Sequence, residues 1–395
     1  MNKKNVEPKL RFPGFKNHWN KTNFGELLDY ERPDKYFVNN TNYNNKGTPV
    51  LTANKAFILG YTDEEYGIYT QLPVIIFDDF TVDKKYVDFP FKVKSSAIKI
   101  LKPKFNNNLK FIYELMSTIK FASSEHKRYY ISTYQNISIF VPQKLEEQDK
   151  IAECLSTVDE LIIEEEAKLE QLKVHKKGLL QKLFPGQGDS NPSLRFPNFL
   201  QRWITKKLEE ICIYKNGGSY ENDIVENGKY NLITLNSIDT EGNLKKEHRL
   251  VNFGEWFLQK NDIVMVLSDV ATGNFLGLSA VIPNNHQYVL NQRMGLLRVS
   301  SNYSADYVRY YINQNQKYFK SYGQGANQKN LSKKDILSFS INIPISIDEQ
   351  QKIADCISSI DELISAQIEK IEALKQQKKG LLQGLFPSLE EVLYD

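Results

Sequence analysis

The sequence predicts an α+β fold in which two globular lobes are separated by two long α-helices that pair with each other antiparallel. Two stretches 202 residues apart, Glu146–Pro185 and Asp348–Pro387, are identical at 24 of 40 aligned positions. A shorter repeat, LRFPGFKNHW at Leu10–Trp19 and LRFPNFLQRW at Leu194–Trp203, precedes each of them. Short strand-like runs of unlike sequence lie in between. The chain is therefore an internal pseudo-repeat with two similar helices and two different lobes.

The repeats and a polar linker set the expected domain boundaries. GQGDSNPS at Gly186–Ser193 is the clearest linker, because Gly, Pro, Asp and Ser favour turns and loops. The expected divisions are a first lobe over 1–144, a first spacer helix over 145–185, the linker over 186–193, a second lobe over 194–346, a second spacer helix over 347–387 and a C-terminal tail over 388–395.

Each long stretch has the heptad pattern of a helix with one apolar seam. Polar residues interrupt both seams at matched places, Glu165 and Lys176 in the first helix and Gln367 and Lys378 in the second. A helix standing alone would leave such a seam in water, so we expect the two seams to bury each other. The predicted core of the helix pair is Ile151, Leu155, Val158, Ile162, Leu169, Leu172, Ile353, Ile357, Ile360, Ile364, Ile371 and Leu374.

The charges along each helix favour antiparallel pairing. Glu146–Glu166 and Asp348–Glu362 are mainly acidic, whereas Lys168–Lys182 and Lys370–Lys379 are mainly basic. Parallel helices would place like charges side by side, while antiparallel helices place acidic halves against basic halves. The alternative is a coiled coil between two chains, but the presence of both seams in one chain favours the intramolecular pair.

Within the lobes, short apolar runs predict strands and longer amphipathic runs predict helices. Because the strands carry most of the apolar residues, each lobe is expected to be a compact α+β unit. The expected strands are Leu72–Phe77, Ala97–Leu101, Asp262–Leu267, Leu278–Ile282 and Gly295–Val299, and the expected helices are Leu109–Phe121 and Ala305–Tyr318.

The net charge of +3 conceals an uneven distribution. Arg11–Lys144 carries +6 and Leu194–Ser346 carries +5, whereas Leu145–Pro192 and Ile347–Asp395 carry −5 each. Basic lobes suit a nucleic-acid reader, because lysine and arginine neutralise backbone phosphates and release counterions. Ordinary variation of a protein surface is the competing explanation for charges of this size.

Basic, amide and aromatic side chains cluster in both lobes. Arginine pairs with guanine edges, asparagine and glutamine with adenine, and lysine with phosphate. A solvated surface position is the simpler interpretation of any one of them, and the clusters argue more strongly than their members. The candidate DNA-binding residues are Lys84, Lys85, Lys92, Lys94, Lys127, Arg128, Tyr129, Tyr134, Gln135, Lys245, Lys246, Arg249, Arg293, Gln324, Asn327, Gln328, Lys329 and Asn330.

The sequence carries no recognisable motif for catalysis. It has no Walker A, complete GxGxxG, HExxH or GxSxG motif and no cysteine–histidine metal spacing. Asp78 and Asp79 follow an apolar run and could suggest a metal site, but solvated loop residues are expected there. Cys154, Cys212 and Cys356 are expected to be reduced core residues in a cytosol. With no signal peptide or membrane span predicted, we expect a cytoplasmic, non-catalytic chain without its own cofactor or metal.

The arrangement resembles the specificity subunit of Type I restriction-modification enzymes. The shared features are the LRFPxF opening of each lobe, the EQxKIAxC helix start and the KKGLLQxLFP helix end. Gly325–Ser332 (GANQKNLS) also resembles that family's lobe ending, whereas Tyr130–Asn136 (YISTYQN), at the matching place in the first lobe, departs from it. The resemblance covers essentially the whole chain.

The resemblance implies a mechanism and a set of partners. In that family each lobe is a target recognition domain that reads one half of a split DNA sequence, and the antiparallel helices fix the gap. The implied partners are double-stranded DNA, two modification subunits and up to two restriction subunits, with Glu146–Glu170 and Asp348–Glu372 facing protein partners. S-adenosylmethionine belongs to the modification subunits, and ATP and Mg²⁺ to the restriction subunits. Since the lobes differ, the target should be asymmetric.

Two other functions stay open at this point. A coiled-coil scaffold with protein-binding lobes predicts no DNA retention and no effect of salt on partner affinity, whereas DNA binding weakens steeply with log salt. A self-sufficient nuclease or methyltransferase predicts that the purified chain acts on DNA with Mg²⁺. The lack of a cofactor motif argues against this enzyme.

Overall fold

A computed structural model describes residues 7–53, 56–121, 127–186, 188–270 and 273–388 of the chain. Gln187 of the predicted linker and the predicted tail beyond Ser388 lie outside these residues. The chain divides into a first unit, Met1–Ala167 with Ile368–Asp395, and a second unit, Lys168–Gln367. The division falls within both long helices, so each unit contains one lobe and a part of each helix.

The first lobe mixes short strands with short helices and leads into the first long helix. Its elements are β1 (Trp19–Asn23), α1 (Phe24–Leu27), β2 (Leu28–Glu31), β3 (Thr48–Leu51), β4 (Ile58–Thr62), β5 (Val74–Asp78), β6 (Lys84–Val87), β7 (Lys92–Val93), β8 (Ile98–Pro103), α2 (Leu109–Thr118) and β9 (Ser138–Pro142), followed by α3 (Leu145–Leu183).

The second lobe repeats this plan and leads into the second long helix. Its elements are β10 (Trp203–Lys207), α4 (Leu208–Ile211), β11 (Cys212–Asn216), β12 (Ile224–Val225), β13 (Tyr230–Ile233), β14 (Arg249–Val251), β15 (Ile263–Val266), β16 (Ser268–Val270), β17 (Ser279–Val281), β18 (Tyr288–Leu290), β19 (Met294–Val299), α5 (Ala305–Gln314), α6 (Gln316–Tyr322), β20 (Gln328–Asn330), α7 (Lys333–Leu337) and β21 (Ser340–Pro344), followed by α8 (Ile347–Leu385).

The two lobes have matching sheets despite their unlike sequences. The main sheet has the order β2-β8-β5-β6 in the first lobe and β11-β19-β15-β17 in the second. In each, one of the two inner strands, β5 or β15, is antiparallel to both neighbours and buried along its whole length. A strand buried on both faces needs consecutive apolar residues, as the sequences VIIF and IVMV provide. The α+β prediction is confirmed.

Most predicted elements are present, with shifted ends. The clearest difference is the predicted helix Ala305–Tyr318, which is two helices, α5 and α6, separated at Asn315. The Asn315 N–H donates to the carbonyl groups of both Tyr311 and Ile312, and its side-chain amide also donates to Tyr311 at 2.8 Å. Asparagine side chains that bond locally to the backbone end helices in this way.

The repeated LRFP motif attaches the second lobe to the start of α8. Arg195 Nε and Nη2 donate to the Glu349 carboxylate at 2.6 and 2.8 Å, and Trp203 Nε1 donates to it at 3.2 Å. The next residue, Gln350, accepts from the N–H of Ser304 at 2.8 Å, at the start of α5. The helix-start sequence EQ therefore binds both the LRFP motif at the beginning of the lobe and the start of α5.

The first lobe is attached to α3 by the same bonds. Arg11 Nε and Nη2 donate to Glu147 at 2.7 and 3.0 Å, and Trp19 Nε1 donates at 3.2 Å. Gln148 accepts from the N–H of Asn108 at 3.0 Å, at the start of α2. Both motifs recur because each forms one half of an anchor that the chain makes twice.

The two long helices are antiparallel within the first unit. Lys370 pairs with Glu165 at 3.1 Å, and Lys378, two turns later on α8, pairs with Asp159 at 2.7 Å, earlier on α3. Lys378 also contacts the buried Glu114 of α2 at 3.2 Å. The antiparallel prediction is confirmed, and the half-buried Lys378 of the seam joins Asp159 to the buried Glu114.

The second unit contains the equivalent contact. Lys176 of α3 pairs with Asp361 of α8 at 2.6 Å, and Tyr310 of α5 donates to the same aspartate at 2.7 Å. In both helices the first lysine of KKG pairs with the aspartate of DEL in the other helix, which accounts for the repetition of these two sequences. Among the described residues, no helix combines the length and the hydrophobicity that a membrane span requires.

Parts of both seams pack against the lobes, in addition to the expected burial of one seam against the other. Ile151 and Leu155 lie in one apolar cluster with Trp19, Phe111 and Phe386. The lobe offers the helix start a larger apolar surface than one facing helix can. Of the predicted core, Ile151, Leu155, Val158, Ile162, Ile353, Ile357, Ile360, Ile364 and Ile371 are buried, and Leu169, Leu172 and Leu374 are half-buried.

Candidate nucleic-acid interface

In the second lobe, several candidate residues converge on the turn Asn291–Arg293, between β18 and β19. The N–H of Leu267, just after β15, donates to the carbonyl of Arg293 at 2.9 Å. The carbonyl of Leu267 accepts from the N–H of Leu331 at 2.9 Å. Leu267, just after β15, is thus hydrogen-bonded both to the turn and to Leu331.

The segment before Leu331 is a hairpin that presents amide side chains. Gln324 and Asn330 exchange backbone hydrogen bonds at 3.1 and 2.9 Å, and β20 pairs antiparallel with β16. Gly325 has φ +120°, and a Cβ there would collide with the Gln328 carbonyl, so the hairpin requires glycine at this position. The side chains of Gln324, Asn327, Gln328 and Asn330 are exposed and that of Lys329 is half-buried.

Arg249 is connected to the same turn through Glu221. Arg249 Nη1 donates to one Glu221 oxygen at 3.4 Å, and Asn291 Nδ2 donates to the other at 2.6 Å. Lys245 and Lys246 are exposed in the loop that precedes Arg249. The second lobe therefore places an exposed Arg293, the amide hairpin and Arg249 around one turn.

In the first lobe, candidate residues surround the end of β5. The N–H of Tyr129 donates to the carbonyl of Asp79 at 2.8 Å, as Leu331 does to Leu267 in the second lobe. Arg128 Nη1 donates to the carbonyl of Ser96 at 3.3 Å. The side chains of Lys85, Lys94, Lys127 and Arg128 are exposed. The candidate surface of the first lobe thus lies at the end of β5, and that of the second lobe lies at the equivalent end of β15.

Lys84 is a partly desolvated cation on this surface. It lines a cleft of about 180 Å³ together with Lys85, Asp78 and Asp83. Burial lowers the pKa of Lys84, and Asp83 opposes this only in part. No carboxylate of the described residues lies within 4 Å of its ammonium group, which is 5.9 Å from the Tyr134 ring. A bound phosphate would therefore stabilise its charge.

Three candidate residues of the first lobe are interior, which corrects the sequence prediction. Lys92 is only 2% exposed and donates to Glu64 at 2.9 Å and to the carbonyl of Tyr66 at 2.6 Å, so its charge is already neutralised. Tyr129 and Tyr134 belong to the apolar cluster of the lobe. Gln135 is half-buried and donates to the carbonyl of Ile131. The expectation of surface contacts from Lys92, Tyr129 and Tyr134 is not supported by these positions.

Asp78 and Asp79 are neither solvated nor arranged for a metal. Asp78 accepts from the backbone of Phe80 and from the hydroxyl of Thr81. Asp79 is buried, pairs with Lys99 at 3.3 Å and accepts from the N–H of Tyr130. The two carboxylates organise the turn after β5. In the part of the chain that the structure describes, no three His, Cys, Asp or Glu side chains lie together so that they could hold a metal ion.

We expect the substitution Lys92→Met to lower the stability of the first lobe without changing the charge on its exposed surface. The hydrogen bond from Lys92, with those from the backbone of Asn40 and Asn39, lowers the pKa of Glu64 from 4.5 to about 2. This interaction stabilises the fold above about pH 4.5 and is lost as the pH falls towards 2. The variant should melt a few degrees lower at pH 7 and show a flatter acid dependence.

Lys85→Met is the matched control for that variant. The Lys85 side chain is exposed, so the Lys85→Met variant should have a melting temperature close to that of the unchanged protein. Equal melting temperatures for Lys92→Met and the unchanged protein at pH 7 would contradict the structural role of Lys92. Melting curves followed by circular dichroism between pH 2 and 7 give the measurement.

The comparisons with known proteins agree on one family. The family model described as "Type I restriction modification DNA specificity domain" matches residues 16–174 and 201–376. The Type I restriction enzyme EcoR124I/EcoR124II specificity subunit of Escherichia coli is 30% identical over 93% of this chain and 94% of its own. The MjaVIII specificity subunit of Methanocaldococcus jannaschii is 25% identical over 74% and 73% of the two chains.

Solved structures show the same fold. The S subunit of a Type I restriction-modification system from M. genitalium superposes with a TM-score of 0.68 at 17% identity, covering 97% of this chain and 100% of that one. A chain from a study of complex assembly and conformational transition of the type I R-M system gives a TM-score of 0.55 at 15% identity, over 96% and 100%. At these identities the likeness concerns the fold alone.

Proposed function

The chain belongs to the Type I restriction-modification DNA specificity family, and on that premise we propose that each lobe reads one half of a split, asymmetric DNA target. The chain is a DNA-recognition subunit and, like its relatives, a non-catalytic one. The observation that carries the proposal is the turn Asn291–Arg293, with the amide hairpin 324–330 held beside it. Arginine and amide side chains at a turn can pair with base edges, while lysines contact phosphates.

The proposal includes a role for the helices as a spacer. Each of α3 and α8 is a continuous helix of 39 residues. An α-helix extends about 1.5 Å per residue, so its number of residues determines its length. We propose that the length of the helix pair sets the number of base pairs between the half-sites.

The proposal also includes partners. Two modification subunits, with S-adenosylmethionine, would dock on the acidic faces Glu146–Glu170 and Asp348–Glu372. Up to two restriction subunits, with ATP and Mg²⁺, would complete the complex in the cytoplasm. One solved relative with this fold was studied for the assembly of a type I R-M complex. The support in this chain is the repetition of the helix starts and of the bonds that anchor each lobe to its helix. Two copies of one partner could therefore bind in the same way.

The first experiment is genome-wide methylation mapping. The chain would be co-expressed with its modification subunit in a host that lacks DNA methylation. A split, asymmetric motif methylated on both strands with a fixed gap is expected. An assembled complex that produces no new methylation would contradict the proposal and favour the coiled-coil scaffold without DNA binding.

Single substitutions in the second lobe should separate base reading from phosphate contact. Arg293→Ala should relax the preference at one base pair of one half-site, at a cost of about 1–3 kcal/mol in discrimination. Lys245→Ala should lower the affinity for every DNA sequence by the same factor and reduce the slope of log affinity against log salt by about 0.9. Equilibrium binding to a panel of duplexes at several salt concentrations checks both. Equal loss on every duplex for Arg293→Ala would contradict its role in reading bases.

A further inference from the structure

An exposed tryptophan lies beside the turn Asn291–Arg293 and was not among the sequence candidates. Trp256 is 44% exposed, in the loop between β14 and β15. The Lys215 ammonium, at the end of β11, lies 3.2 Å from the centre of its ring. A single lysine in a strand and a single tryptophan in a loop, about 40 residues apart, give no local sequence signal.

The position of this pair is fixed relative to the turn. The N–H groups of Gly217 and Gly218 donate to the carbonyls of Met294 and Leu290, at 3.0 and 2.9 Å, on either side of the turn. A Cβ at Gly217 would collide with the backbone of Asn291, so glycine allows this close approach. Lys215 therefore lies only two residues before Gly217, which is hydrogen-bonded to the residue that follows the turn.

The loop that carries Trp256 is also held in place. The N–H of Glu255 donates to the Tyr220 hydroxyl at 3.1 Å, and Phe257 forms a β-bridge to Val289 in β18. Trp256, Lys215, Gly217 and Tyr220 line one small cleft. The tryptophan is thus attached to the strand that leads into the turn.

The charge beside Trp256 is available for a ligand. Arg298 also lies near the ring, 5.7 Å from its centre, but it is neutralised by Asp262 through bonds of 2.7 and 2.8 Å. Lys215, by contrast, has no ion-pair partner among the residues that the structure describes. A cation held over an exposed aromatic face offers a charge for a phosphate and a flat apolar surface for a sugar or base.

We propose that Lys215 and Trp256 form a nucleotide-contacting pair that binds double-stranded DNA next to the half-site read by the Asn291–Arg293 turn. The inference rests on the proposed function, because it assigns a DNA contact to the surface around the same turn. Lys215 contacts the phosphate and the indole packs against the adjoining nucleotide. Alanine substitution of an aromatic residue that stacks on single-stranded nucleic acid weakens binding about 5- to 100-fold, which sets the upper range for an indole packed against a nucleotide of a duplex.

The chain provides its own spectroscopic test. Its three tryptophans are Trp19, Trp203 and Trp256, and the first two are only 5% and 6% exposed. Acrylamide quenching of the full chain therefore reports mainly on Trp256, with Trp256→Phe as the spectral reference. A duplex carrying the target should protect this fluorescence, and a duplex of scrambled sequence at the same salt should protect it less.

Affinity measurements complete the test. We expect Trp256→Ala to weaken binding of the target duplex about 5- to 100-fold, Trp256→Phe to restore most of it, and Lys215→Ala to reduce the salt slope by about 0.9. Tyr66→Ala, which removes an exposed aromatic group of the first lobe, is the matched control and should change little. Unchanged quenching and affinity, in a chain that still binds its target, would overturn this inference alone. A complex of the chain with its modification subunits that binds no DNA would overturn the proposed function as well.

Discussion

Replacing Glu349 with alanine is expected to destabilise the second unit by about 3–5 kcal/mol, the usual cost of removing one partner from a buried ion pair. The Glu349 side chain is 0% exposed and accepts hydrogen bonds from Arg195 and Trp203. Its loss leaves Arg195 Nε and the Trp203 indole N–H without their acceptor, while Arg195 Nη2 keeps its bond to the Gln201 carbonyl. Because α8 starts here, the lobe would lose its attachment to the helix.

Urea unfolding followed by tryptophan fluorescence measures this effect, and Trp203 at the anchor contributes to that signal. Glu147→Ala should have an equal effect in the first unit, since Glu147 accepts the same three bonds from Arg11 and Trp19. Glu209→Ala, which removes only a surface ion pair with Lys207, is the control and should change stability by less than about 1 kcal/mol. A stability loss as small as that of the control would mean that the anchor is dispensable.

Lengthening both helices together is expected to lengthen the gap in the DNA target. Duplicating 160–166 in α3 and 362–368 in α8 adds one heptad to each, or about 10 Å, which corresponds to about three base pairs. A heptad keeps the seam on the same helix face. The contacts Lys378–Asp159 and Lys176–Asp361 lie on either side of the inserted residues and are preserved.

Methylation of a target library with randomised gaps gives the readout. The preferred gap should increase when both helices are extended. Extension of α3 alone should prevent assembly, because Lys176 can no longer meet Asp361 while Lys378 meets Asp159. An unchanged gap in an assembled, doubly extended protein would show that the helices do not act as the spacer.

The long helices and their orientation could be predicted because heptads and charge halves are local patterns. The anchors could not, since Arg11 and Glu147 are 136 residues apart and no periodicity relates them. The lobe surfaces were predicted least well. Lys92 and Lys94 are neighbours in sequence, yet one is buried and the other exposed, because their surroundings in the folded lobe differ. Residue type alone does not distinguish them.

The duplicated anchors make the lobes exchangeable parts. Arg195–Glu349 and Arg11–Glu147 have the same geometry, although the lobes that they attach share little sequence. Recombination between the repeated segments could therefore replace one lobe, or exchange the two positions, without disturbing the joints. Each exchange would produce a new combination of half-sites on an unchanged frame. Under the proposed function, one such exchange would change half of the DNA target in a single step, whereas a single substitution would change one base contact.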